Sequence, residues 1–228
     1  MKLTWYGQAA FLIEAESGYR IICDPYNPEL LGFPPIDDAC DLVITSSAND
    51  DAHCRHDLVP GEHIWVNALE LAEAGGSRAV AGLEVQAIEA MEMLNHPMHD
   101  PEQNAMYRFV VDGLNVAHMG DIGNPLSERQ LAFLQGVDVL LALAGGEPVV
   151  TLDELMRVIA RTEPGLVVPM HFRTEHSRQP GLLPVGDFIA LAKQASMNIV
   201  EADVSTVSID RRQLPEQQSI MIIPQAGS

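Results

Sequence analysis

Carboxylates and imidazoles follow directly behind apolar runs at several points in this sequence, and that combination can hold a metal ion. His171 comes straight after Gly165–Met170, within Pro169-Met170-His171-Phe172. Asp121 follows Leu114–His118, within His118-Met119-Gly120-Asp121-Ile122-Gly123. Asp50 and Asp51 stand just past Asp41–Thr45. Polar groups at the ends of buried strands converge on one rim of a sheet, where open α/β architectures build their sites. Brought together there, they are ligands for Zn²⁺, Mn²⁺ or Fe²⁺.

Each candidate also has a plainer reading. Asp121 in a Gly-Asp-Ile-Gly turn could simply cap backbone amides, and a lone His171 could be a satisfied structural group. His53-Cys54-Arg55-His56 has ligand types at close spacing, but no second Cys/His pair completes a structural zinc site. His96 and His99 sit in a polar, proline-bearing segment that reads as solvated loop, and His63 and His176 read as surface. Other chemistries lack their motifs: there is no G-x-S-x-G elbow, no phosphate-binding G-x-x-x-x-G-K-[ST] loop and no G-x-G-x-x-G. Ala144-Gly145-Gly146-Glu147 reads as a tight turn.

The elements that must position these residues change character along the chain. Lys2–Tyr6, Phe11–Ala15 and Tyr19–Asp24 read as consecutive strands broken by Gly7 and Ser17-Gly18. Pro25 to Pro35 reads as loop, and Asp41–Thr45 as a buried strand. Further strands are expected at Ile64–Val66, Ala79–Ala81 and Leu83–Ala87, then a hairpin of Tyr107–Val111 and Leu114–His118 turning on Asp112-Gly113. After residue 120, Ser127-Glu128-Arg129-Gln130 and Thr151-Leu152-Asp153-Glu154 spell capping boxes that open amphipathic helices. Strands Val137–Ala142 and Gly165–Met170, a helix over Val185–Ser196 and a strand Ser219–Ile223 complete one α/β domain across 1–228.

Thirteen Lys and Arg against thirty-two Asp and Glu give a net charge of −19. That excess argues against nucleic acid or an anionic membrane as partner, since both need a cationic face, and leaves a small-molecule substrate or ligand. Oligomeric state stays open. The N-terminus lacks a basic region followed by an apolar one, and the longest apolar run, Val137–Ala144, is too short to span a bilayer. Three scattered cysteines suit reduced thiols, so a cytoplasmic protein is expected.

Taken in order, several segments resemble the metallo-β-lactamase superfamily, in particular its branch of small zinc-dependent hydrolases related to L-ascorbate-6-phosphate lactonase. Lys2–Glu14 is similar to that branch's opening strand pair, Cys23-Asp24-Pro25 to its following Asp-Pro, His118–Asp121 to its H-x-G-D segment, and Val168–Phe172 to its P-M-H-[YF] segment. The resemblance implies a four-layer αβ/βα sandwich with a metal site at the sheet edges. It implies that His171 completes one metal's shell, that Asp121 bridges two metals, and that Asp51 is the aspartate of the H-x-H-x-D-H signature.

Within that signature the sequence departs from the family. The expected histidines fall on Ser47, Asn49 and Ala52; the next falls nearest Glu92, with His96 or His99 within loop slippage. The histidine expected after Gly7 is Gln8, and a position that is often histidine is Asn124. Ser and Asn bind zinc poorly compared with His, so a binuclear zinc mechanism is not expected. Two readings follow. In one, Asp51, Asp121 and His171, with His53 as a neighbouring imidazole, hold one divalent metal for hydrolysis of an ester, lactone or phosphoester, and Asp50 or Glu92 accepts a proton. In the other, no metal binds, and the cleft of a catalytically inactive member takes a ligand or partner.

Overall fold

A computed structural model describes residues 1–48, 50–92 and 104–227. The chain opens with strands β1 (Lys2–Gly7), β2 (Ala10–Glu14) and β3 (Arg20–Cys23), then a short helix α1 (Pro28–Leu31) and strand β4 (Leu42–Thr45). Strand β5 (Ile64–Asn67), helix α2 (Ala68–Glu73) and strands β6 (Ser77–Val80), β7 (Leu83–Ala90), β8 (Asn104–Val111) and β9 (Leu114–His118) follow. Helix α3 (Glu128–Phe133), β10 (Val139–Leu143), α4 (Leu152–Thr162), β11 (Leu166–Met170) and α5 (Val185–Gln194) alternate after that. β12 (Asn198–Glu201), β13 (Thr206–Ser208) and β14 (Ser219–Ile222) end the chain.

The strands form two mixed sheets, one of six strands in the order β13-β1-β2-β3-β4-β5 and one of eight in the order β12-β14-β11-β10-β9-β8-β7-β6. Period-two alternation explains how the first sheet is buried on both faces. Leu3, Trp5, Phe11, Ile13, Ile21, Leu42 and Ile44 join the large core that continues through the second sheet. Their neighbours Tyr6, Leu12, Ile22 and Val43 point the other way, into a smaller core with Tyr26, Leu31 and Phe33 from α1 and its flanking loop. Helices α3, α4 and α5 contribute Leu131, Leu155, Val158, Ile159, Phe188 and Ala192 to the large core. The architecture is the four-layer αβ/βα sandwich.

Several local expectations hold. Asp112 and Gly113 both take positive φ (49° and 74°), as a two-residue hairpin turn requires. Ser127 forms a complete capping box with Gln130. Thr151 accepts from the Glu154 amide, but the box is half made, because Glu154 turns instead to the Leu126 amide and to Arg157. The Pro25–Pro35 loop contains α1, since Asn27 caps it and Pro28 sits in its first turn, where a missing N–H costs nothing. Cys23, Cys40 and Cys54 are buried and unbridged. Among the described residues, no helix is long and apolar enough to cross a membrane.

What this fold does for the site is to align strand ends. β3 and β4 run parallel in one sheet, and β9, β10 and β11 run parallel in the other, so the C-terminal end of each emerges toward the same rim. Away from that rim, Asp38 accepts hydrogen bonds from Tyr6 and Arg20. Partial burial works to raise its pKa, but those two donors hold it below the usual carboxylate range. A depressed carboxylate stabilises the fold above its unfolded pKa of about 3.9 and loses that contribution as pH falls through its folded value. Asp38→Asn should therefore lower the melting temperature at pH 7. By calorimetry the gap between variant and wild type should narrow as pH falls below the unfolded carboxylate range and through the lowered folded value of Asp38.

Candidate metal centre

Three strand ends deliver the central groups. His171 directly follows β11, with φ at 54°, and its amide donates to the Gln8 carbonyl at 2.8 Å. Asp121 follows β9 across Gly120, its amide bound to Asn104 Oδ1 at 3.1 Å. His53 lies beyond β4 and is held by Asp24, the residue after β3, through Nδ1 to Oδ2 at 3.0 Å. His53 and His171 are fully buried, with near-parallel rings 5.3 Å apart.

Their donor atoms converge. Asp121 places Oδ2 3.4 Å from His53 Nε2 and Oδ1 3.4 Å from His171 Nε2. Those separations exceed ordinary N–H···O hydrogen bonds. Each is close to the roughly 3.4 Å between ligand atoms that bonds of about 2.1 Å to a tetrahedral ion would set, although the two run to different oxygens of the carboxylate. Taking one donor atom per residue, the three lie within 4.8 Å of one another. Among the described residues His53 Nε2 is buried without a hydrogen-bond partner, while Nδ1 on the other side of its ring is fixed by the Asp24 carboxylate, the arrangement that presents a histidine to a metal. His53, Asp121 and His171 could thus hold one ion.

A second group shares Asp121. Donor atoms of Asp50, Glu92 and Asp121 lie within 4.8 Å of one another. Burial raises the Glu92 carboxyl to about 8, aided by the charges of Asp121 and Asp50. Burial works to lower His53, but Asp121 and the hydrogen bond to Asp24 outweigh it and lift the imidazole to about 10. His171 and His118 are lowered instead, chiefly by burial. Protons gather where carboxylates outnumber cations.

The placement of the expected residues is uneven. Asp121 and His171 are brought together, with Asp50 and Glu92 beside them. Asp51 is not: its side chain is 55% exposed and bound to Arg55 and Asn27. His53 takes part although an extended segment would turn it away. The reason is that 50–53 is a helical turn, with His53 and Cys54 amides both bonded to the Asp50 carbonyl. Residues three apart then share a face, so Asp50 and His53 look into the site while Asp51 faces solvent. Ala52 packs in the smaller core. Ser47 is buried, and Asn49, His96 and His99 lie outside the described residues. Asn124 is structural, donating to the Glu92 carbonyl. His118 is used internally, between the Ala9 carbonyl and the Gly120 amide. Of the arginines near these segments, Arg55 pairs with Asp57 and Asp51, Arg178 binds the Glu29 carbonyl, and Arg173 is exposed.

Comparison with known proteins places the fold in a family. A family model described as a β-lactamase superfamily domain matches residues 2–171. A Thermotoga maritima crystal structure, described as a candidate zinc-dependent hydrolase of the metallo-β-lactamase superfamily, superposes with a TM-score of 0.73 at 26% identity, covering 97% of both chains. The chain belongs to the metallo-β-lactamase superfamily. Within it, a UPF0173 protein of Pyrococcus furiosus is 27% identical over 79% of this chain and 87% of its own. A UPF0173 metal-dependent hydrolase of Carboxydothermus hydrogenoformans is 23% identical over 76% and 85% respectively.

Asp121 reaches its position only because Gly120 has no side chain. With φ at 65°, a Cβ there would lie 2.4 Å from the Ala105 carbonyl and 2.5 Å from Asn104 Oδ1. Gly120→Ala should cost roughly 1–3 kcal/mol from backbone conformation alone, with the clash added, and thermal unfolding measures it. Gly136→Ala, also at positive φ (72°) but in open space, should cost less, because it lacks the clash.

Proposed function

We propose that this chain is a metal-dependent hydrolase with a single-metal centre at His53, Asp121 and His171. The observation that carries this is the pair of 3.4 Å separations from one carboxylate to two imidazole nitrogens, one of them a buried orphan. Two imidazoles and a carboxylate suit Zn²⁺, Fe²⁺ or Mn²⁺. Such an ion supplies Lewis acidity, which activates water near neutral pH and polarises an acyl or phosphoryl oxygen. The relatives named as metal-dependent hydrolases support the same reading.

The chain's own residues have distinct tasks. Asp24 orients His53 and fixes which nitrogen faces the site. Asp50 and Glu92 stand beside Asp121; Asp50 is placed to accept the proton of an attacking water, whereas Glu92, raised to about 8, already carries a proton at neutral pH. We read Asp50 as the aspartate of the H-x-H-x-D-H signature, one residue earlier than the sequence suggested. The signature's histidine positions are then Ser46, Ala48 and Asp51, none an imidazole, so the centre is impaired relative to a binuclear one. Substrates of the ester, lactone or phosphoester class fit a hydrolytic centre of this kind.

A second reading, a cleft that binds a ligand without metal, is favoured by one contact: the Gln8 amide sits 2.6 Å from His171 Nε2, where a metal would bond. Elemental analysis decides between them. Protein purified without added metal should carry about one equivalent of Zn, Mn or Fe. Asp121→Ala and His171→Ala should lose it, and Asp51→Ala should keep it. Metal near zero in every protein would leave only the second reading. Asp24→Asn should weaken metal binding about 10–100-fold, measured by competition with a chelator. In a screen of ester, lactone and phosphodiester substrates, Asp50→Ala should lower turnover while retaining the metal.

A further inference from the structure

Gln8 occupies the turn between β1 and β2, at φ 49° behind Gly7 at φ 120°. Its backbone is pinned: the carbonyl accepts from the His171 amide at 2.8 Å and from Trp5 Nε1 at 3.0 Å. The side chain is fully buried. Its Nε2 donates to Gln179 Oε1 at 2.9 Å and lies 2.6 Å from His171 Nε2, the same nitrogen that faces Asp121. Its Oε1 has no hydrogen-bond partner among the described residues.

That arrangement leaves a buried amide oxygen unsatisfied next to a ligand atom, an unfavourable state unless something else uses it. Amide oxygen is a competent metal donor, and His53, Asp121 and His171 provide three of the four ligands a tetrahedral ion takes. A half-turn of the amide about its terminal bond exchanges Nε2 and Oε1 within nearly the same volume. It would bring the oxygen to the position now 2.6 Å from His171 Nε2, about 0.8 Å short of the roughly 3.4 Å tetrahedral edge, so the amide must also draw back by that much to share an ion with the imidazole. Gln179, half-buried, can turn with it and donate its own N–H to that oxygen.

Resting on the single-metal reading above, we propose that Gln8 is a fourth protein ligand, through Oε1. Its amide turns from hydrogen-bonding His171 in the metal-free protein to coordinating the ion in the loaded one. The turn-over removes the competing hydrogen bond and gives the oxygen a partner, and it leaves Nε2 in the place the oxygen vacates.

The test is the affinity of the full-length protein for Zn²⁺ or Co²⁺, by competition with a chromogenic chelator, with cobalt absorption as a second readout. Gln8→Met keeps the volume and lacks the oxygen, and Gln8→Ala removes both. Each should bind at least about tenfold more weakly, with an altered cobalt band. Gln8→Glu keeps the oxygen and adds charge, and should bind at least as tightly as wild type. Melting temperature in excess chelator shows whether each variant folds, and Gln8→Met serves if Gln8→Ala does not. Equal or tighter binding by Gln8→Met would overturn the proposal and make Gln8 a plug over His171. If wild type binds no metal at all, the single-metal reading fails and this inference with it. If wild type binds one ion and Gln8→Met binds it equally well, only this inference fails.

Discussion

Asp24 is a carboxylate with no exposure to solvent, and four donors meet on it: the Ser46 amide at 2.8 Å, Ser46 Oγ at 2.6 Å, His53 Nδ1 at 3.0 Å and Tyr107 OH at 2.9 Å. Burial alone would push such a group to protonate, yet His118, His53 and Ser46 hold it ionised. Its donors come from the end of β4 and the middle of β8, one in each sheet, and from the turn that carries His53. A buried charge is tolerated only when its lone pairs are filled, so these segments cannot separate without stranding it. The site geometry depends on that constraint, because it fixes both the approach of the two sheets and the tautomer of His53.

Backbone close approach does the same work around His171. Its carbonyl would sit 2.1 Å from a Cβ on Gly145, and its amide binds the Gln8 carbonyl. Gly145 therefore belongs to the site as a space left empty, although its sequence context reads only as a turn. Glycine, positive-φ residues and one buried acid together place three donor atoms on elements that are otherwise rigid strands.

The alternation of apolar residues in β1 to β4 made the first sheet legible from sequence, because period two assigns each residue to one of two cores. The capping boxes and the Asp-Gly hairpin were legible for the same reason: each is a local rule with a local cause. Helix α2, hidden behind β5 in a run without breakers, and the short edge strands β12 and β13 carry no such signal. In the site, Asp121 and His171 stood out because both close apolar strands. His53 did not, since its role depends on residues 50–53 winding into a helical turn rather than extending. Asp24 was visible only as part of an Asp-Pro pair, and its partners lie 22 to 83 residues away. Gln8 stood out in the sequence only as the residue where the family resemblance expects a histidine, and its contact with His171, 163 residues away, carries no local signal.

Asp121 is shared by two kinds of neighbour. The imidazoles of His53 and His171 group with it in one cluster, and the carboxylates of Asp50 and Glu92 in another. Asp24, Asp50, Glu92 and Asp121 lie close together, and among the described residues the neighbouring group that carries a raised cationic charge is His53. Such an excess of negative charge is neutralised either by protons or by an ion. The raised values of Glu92 and His53 show the first solution, and the 3.4 Å spacing of the His53, Asp121 and His171 donor atoms fits the second. Both act on the same atoms, because a proton on His53 Nε2 occupies the lone pair an ion would use. An ion bound there would displace that proton, and the fold around Asp24 would hold the geometry constant through the exchange.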